Sequence, residues 1–100
     1  MKFFQIIVEM CITAIQYYNY SFADTDIKKQ MKLACNSNNK YDSNAIKVFL
    51  DDTHIGYVKK EDAKILSPIL KTNTFYVKKW GVVSHTPGYM VVQCIIKSKK

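Results

Sequence analysis

Phe4, Ile6, Val8, Met10 and Ile12 stand at every second position, with Gln5, Glu9 and Thr13 among their alternates. Only an extended chain gathers such a series onto one face, so the pattern commits this segment to a strand. Ile7 and Cys11 make the opposite face partly apolar, as expected where a strand is buried on both sides in a closed sheet. The same signature recurs along the chain. Gln30 to Cys35 reads as a strand with Met31 and Leu33 inward, after a helical turn over Asp24 to Lys29 capped by Asp24 or Thr25. Ala45 to Leu50 and His54 to Val58 form a hairpin about an Asp51-Asp52-Thr53 turn. Phe75 to Val83 and Tyr89 to Ile96 are joined by His85-Thr86-Pro87-Gly88, whose Pro-Gly pair is a turn signal. One segment breaks the rule: Ala63, Ile65, Leu66, Ile69 and Leu70 follow helical spacing, with Glu61 and Asp62 at the positive N-terminal end. Pro68 lies within that stripe and predicts a break or kink at Ser67.

Five to six strands with one main helix, in 100 residues, is the element count of an all-β fold with minor α, a small OB-like or SH3-like barrel. The expected organisation is one domain over residues 1–96 and a flexible Lys-rich tail over 97–100. Nearly half of the residues are apolar, enough for a packed core.

Charge bears on the partner. Fifteen lysines face eight acidic residues, and the chain contains no Arg. A positive field favours polyanions, but Lys meets phosphate as a point charge and cannot make the bidentate fork that reads a guanine edge. Backbone binding is therefore expected over sequence-specific readout. An A·T-rich coding sequence would also produce a Lys- and Asn-rich, Arg-free chain, and composition alone does not separate the two. Cys11, Cys35 and Cys94 have no spacing suited to a disulfide framework or a zinc site. A reducing, intracellular setting in the nucleus or at a cytoplasmic replication site follows, without membrane association. The apolar opening is too short and too polar to span a bilayer. No cofactor is expected. Neither His54 nor His85 has a convincing Cys or Asp partner, and no Gly-rich phosphate loop or activated nucleophile stands out, so a non-enzyme is expected.

The stretch Cys35-Asn36-Ser37-Asn38-Asn39-Lys40-Tyr41-Asp42-Ser43-Asn44-Ala45-Ile46-Lys47-Val48, followed by Ile55-Gly56-Tyr57-Val58-Lys59-Lys60, resembles the signature of the HIRAN domain. That family carries an Asn-rich loop ending in Tyr-Asp-x-Asn-Ala-Ile-x-Val, then a hairpin whose second strand enters a helix. Gln16-Tyr17-Tyr18 is similar to the family's tyrosine pair, although the residue before the pair is basic in the best-known members. Lys40 likewise replaces the usual Pro. The resemblance implies an OB-like barrel that binds single-stranded DNA and senses its 3′-hydroxyl, in replication or repair. Its best-known members attach this domain to a fork-remodelling helicase, so a helicase or another repair protein is an implied partner, and the charge and composition suit a viral module.

The residues agree with that implication on their own chemistry. Tyr17 and Tyr18 point to opposite faces of a strand, leaving at least one as a stacking platform. Asp42 would repel an internal phosphodiester yet accept a hydrogen bond from a terminal hydroxyl, which admits a strand end and excludes continuous backbone. The same side chain could simply bond loop amides. Tyr57 is placed to stack under the last base, and Lys59 and Lys60 to meet a phosphate at the helix mouth. Asn39 and Lys40 complete the loop contacts, and Gln16 stands where a phosphate contact would be. Trp80, next to Lys78 and Lys79, has the basic-aromatic interleaving of a single-strand groove, although a lone Trp in a small domain is more often core. Two rivals stay open: a HIRAN-like protein-interaction module without DNA binding, and a general single-stranded nucleic-acid binder that includes RNA.

Overall fold

The computed structural model describes residues 4–13, 24–35, 40–86 and 88–99. Six strands and one helix account for most of them: β1 (Gln5–Thr13), β2 (Met31–Cys35), β3 (Ile46–Leu50), β4 (Thr53–Val58), α1 (Lys60–Lys71), β5 (Phe75–Thr86) and β6 (Tyr89–Ser98), with a 3-10 turn at Asp24–Lys28. All strand pairs are antiparallel, in the order β2-β3-β4-β1-β6-β5. The sheet curls until β5 approaches β2, and Gln30 Nε2 donates to the Val77 carbonyl across the seam at 3.0 Å. Fold class and element count are those expected: a small OB-like barrel.

The inward alternates make the core. Met10, Ile12, Met31, Ile46, Val48 and Leu50 are buried, and Val92, Cys94 and Ile96 meet them from β6. α1 turns Ala63, Leu66 and Leu70 onto the same core. Its first turn is fastened to β1, where Lys59 N donates to the Cys11 carbonyl (2.6 Å) and Cys11 N donates to Asp62 Oδ2 (2.9 Å).

Several expectations need correction. α1 does not break at Ser67 but continues to Lys71 with Pro68 inside it. Proline deprives only the carbonyl four residues back of its donor, and that residue, Lys64, is exposed, so water can take the place of the N–H. β1 is not covered on its second face: Cys11 is half-buried, but Ile7 is 65% exposed. The Lys-rich tail is partly structured. Lys97 and Ser98 belong to β6, Phe4 N donates to Ser98 Oγ, and Lys99 N donates to the Thr74 carbonyl. His85 and Thr86, read as turn, extend β5, where Thr86 pairs with Tyr89, and Gly88 takes φ 98°.

Three β-bulges decide which side chains share a face. In β4, Val48 opposes Gly56 while Phe49 opposes His54, so Ile55 is the extra residue. In β5 the extra residues are Lys78 and Val83. Each bulge shifts the alternation by one.

Candidate nucleic-acid interface

The Asn-rich loop is described from Lys40 onward, and its end is a side-chain-stabilised turn. Asp42 Oδ1 accepts the Asn44 N–H at 2.9 Å and the Asp42 carbonyl accepts the Ala45 N–H at 3.1 Å. A carboxylate spans this two-residue gap naturally, which is why Asp suits the position. Asp42 is half-buried, and its neighbour Tyr41 is 83% exposed. Lys40 Nζ lies 5.2 Å from the Tyr41 ring centroid, within cation–π range, so the residue that departs from the family pattern contacts the exposed ring. From the other side Lys71 Nζ donates to the Ser43 carbonyl at 2.8 Å, tying the end of α1 to the loop.

The loop feeds directly into β3, where Lys47 faces Tyr57 across the ladder. Because the two strands are antiparallel, the start of β3, into which Tyr41 and Asp42 lead, and the end of β4, from which Lys59 and Lys60 follow, lie at the same open end of the hairpin. Both lysines are exposed. Lys59 is the N-cap residue of α1 and provides no side-chain cap, so the amides of the first turn keep their bias toward an anion, moderated by Glu61 and Asp62.

Tyr57 is not an isolated ring. The bulge at Ile55 brings His54 and Tyr57, three residues apart on one strand, to the same outer face. Their rings meet edge-on at 5.2 Å, and His54 in turn stacks on Phe49 at 5.0 Å. Thr13 Oγ1 donates to the Tyr57 carbonyl at 3.4 Å, holding this end of β4 against β1. The His54 Nε2 and the Gly56 carbonyl lie 2.9 Å apart. Burial pushes the imidazole pKa below its ordinary value, and nearby Lys47 adds to that, against the Gly56 hydrogen bond. A row Phe49–His54–Tyr57, edged by Lys47, thus lines the outer face of the hairpin.

Of the expected site residues, Lys40, Tyr41 and Asp42 lie in the loop that enters β3, and Tyr57, Lys59 and Lys60 at the end of β4 and the start of α1. Gln16, Tyr17, Tyr18 and Asn39 lie outside the described residues. Trp80 does not join them: it is 8% exposed, part of the core, and its Nε1 donates to the Lys29 carbonyl at 2.9 Å. Its indole fills the space beneath the 3-10 turn, so its faces are not offered to a base. Phe49, His54 and Lys47 were missed. An outward aromatic at Phe49, alternating with Ile46, Val48 and Leu50 on a lysine-bearing strand, was the available signal, whereas His54 depends on the bulge. Among the described residues no group of three His, Cys, Asp or Glu could hold a metal.

A curled six-stranded sheet plugged by one helix, with a basic and aromatic rim at one end of a hairpin, defines a small OB-like barrel module. The HIRAN domain model matches residues 7–99, and the chain belongs to the HIRAN family. The crystal structure of the HIRAN domain of human HLTF superposes with a TM-score of 0.71 at 23% identity, over 94% of this chain and 77% of that one. At that identity the likeness establishes the fold. No curated protein matches the chain.

Proposed function

We propose that this protein binds single-stranded DNA and grips its 3′ terminus at the Tyr41–Asp42 loop, serving replication or repair with any motor supplied by a partner such as a helicase. The observation that carries the reading is the loop around Asp42: a half-buried carboxylate pinned by the Asn44 amide, next in the chain to an exposed tyrosine that Lys40 contacts, at the end of the hairpin from which Lys59 and Lys60 follow. Turn formation and end recognition coexist on this side chain, because a carboxylate has acceptor capacity for several donors. Lysines attract the strand, the carboxylate rejects continuous phosphodiester, and a terminal hydroxyl can donate to it. Tyr41, and the Tyr57 row on the hairpin, supply apolar faces for bases. Family membership supports the nucleic-acid partner.

The test is fluorescence anisotropy with short single strands ending in 3′-hydroxyl or 3′-phosphate, or closed by a hairpin, repeated with Asp42→Asn. Asn keeps an oxygen for the Asn44 amide, so the loop stays folded while the charge is lost. The expected result is a preference for the 3′-hydroxyl strand that falls by roughly 10- to 100-fold in the variant, the worth of one hydrogen bond to a charged group. Equal wild-type binding to all three ends removes the end-sensing role and leaves a general single-strand binder. Absence of binding to any strand at low salt moves the assignment to a protein-interaction module.

A further inference from the structure

At the opposite end of the β3–β4 hairpin lies an open groove of about 650 Å³ that the 3′-end reading leaves unused. Its walls are the 3-10 turn, the Asp51 turn and the start of β5. Adjacent strand residues ordinarily face opposite ways, yet Lys78 and Lys79 are both exposed, because the bulge at Lys78 shifts the alternation between buried Val77 and buried Trp80. Lys28, at the end of the 3-10 turn, adds a third exposed ammonium. The turn is fixed against β5 through the Trp80 hydrogen bond to the Lys29 carbonyl.

The charges of the groove do not cancel. Lys29 Nζ is held by the buried Asp26 carboxylate at 2.8 Å, and Asp51 Oδ1 accepts the Gln30 N–H at 3.0 Å. Among the described residues, no carboxylate pairs with Lys28, Lys78 or Lys79. Asp51 moderates the local field without pairing with them. Among the described residues the groove offers no base-stacking surface, since Trp80 is the one aromatic lining it and is buried. Ammonium groups without exposed rings meet phosphates and leave bases alone, which suits a duplex whose bases are turned inward. The six residues of β4 set this groove about 20 Å from Lys59 and Lys60, a distance that a duplex covers in about six base pairs.

We propose that Lys28, Lys78 and Lys79 form a second DNA contact, for the phosphodiester backbone of a duplex arm adjoining the single-stranded 3′ end. The arrangement of two contacts on one DNA rests on the function proposed above; the duplex contact itself does not. The protein would then read a junction, with its end site on the tail and its groove on the duplex.

Two probes separate the claims: a closed dumbbell duplex, which has no end, and a single-stranded hexanucleotide with a 3′-hydroxyl. Two double variants are compared with wild type by anisotropy across a salt series, Lys78→Ala with Lys79→Ala, and a charge-matched control, Lys64→Ala with Lys97→Ala. The groove variant is expected to lose about tenfold or more in dumbbell affinity and about two in the log-log salt slope, with Lys28→Ala deepening both losses. The control is expected to stay within about threefold, and hexanucleotide binding within about twofold. Equal losses in the two double variants, an unchanged groove variant, or no dumbbell binding by wild type at low salt overturns the proposal. Failure of the hexanucleotide to bind while the dumbbell result holds overturns only the end-site reading.

Discussion

Trp80 and Ser67 are both buried and both carry a polar atom, and they differ in whether that atom is used. The Trp80 Nε1–H donates to the Lys29 carbonyl, so one side chain fills core volume and fastens the 3-10 turn to β5. Trp80→Phe removes the donor, strands that carbonyl and leaves a small void; a loss of about 2–3 kcal/mol in urea-denaturation stability is expected. Ser67 is fully buried, and its hydroxyl has no hydrogen-bonding oxygen or nitrogen among the described residues, only the Cys35 thiol, a weak partner. Ser67→Ala is therefore expected to raise stability by about 1 kcal/mol in the same assay, since the helix gains propensity and sheds an unpaid desolvation. At this scale the turn role of Asp42 was legible, because an Asp carboxylate readily accepts the amide two residues on, as it does from Asn44. Trp80 was not: basic neighbours suit a groove and a core alike, and its burial depends on the bulge two residues earlier.

Bulges act at the scale of the element, and they are why period-two reading located the strands and still misassigned faces. The register of β4 slips at Ile55, and that slip alone places His54 on the same side as Tyr57. The helix was legible from the spacing of Ala63, Leu66 and Leu70, while its continuation through Pro68 depends on exposure at Lys64, which spacing cannot report. The hairpin stack also carries a pH response. Burial lowers the His54 pKa in the folded state, so the unfolded chain binds the proton more readily. The contribution to stability is therefore present above the ordinary histidine pKa near 6.5 and is lost as the pH falls through it toward the lower folded value. Thermal melts at pH 7.5 and 5.5 should show the protein destabilised at the lower pH. In His54→Phe, which keeps a ring between Phe49 and Tyr57, the difference between the two melting temperatures should shrink. An undiminished difference would assign the response to other groups.

Barrel closure belongs to the whole molecule and was only partly legible. Hydrophobic periodicity supplied the number of strands, but the order β2-β3-β4-β1-β6-β5 and the meeting of β5 with β2 arise from sheet curvature, to which no local pattern corresponds. Charge behaves differently, because an excess of seven positive charges without any Arg already sets how the molecule meets a polyanion. Lysines contribute counterion release without bidentate base readout, so affinity should depend on salt and little on sequence. If the end site holds a short strand through Lys40, Lys59 and Lys60, three phosphates at about 0.7 each give a log-log salt slope near −2 for a 3′-hydroxyl hexanucleotide. Participation of the whole basic surface would instead make the slope much steeper. Replacing these three lysines with Ala should bring the slope close to zero, while homopolymeric hexanucleotides of different base should bind wild type within a few-fold of one another. A slope that survives the triple substitution would place the contacts elsewhere on the barrel, and a strong base preference would require readout that lysine at this rim does not provide.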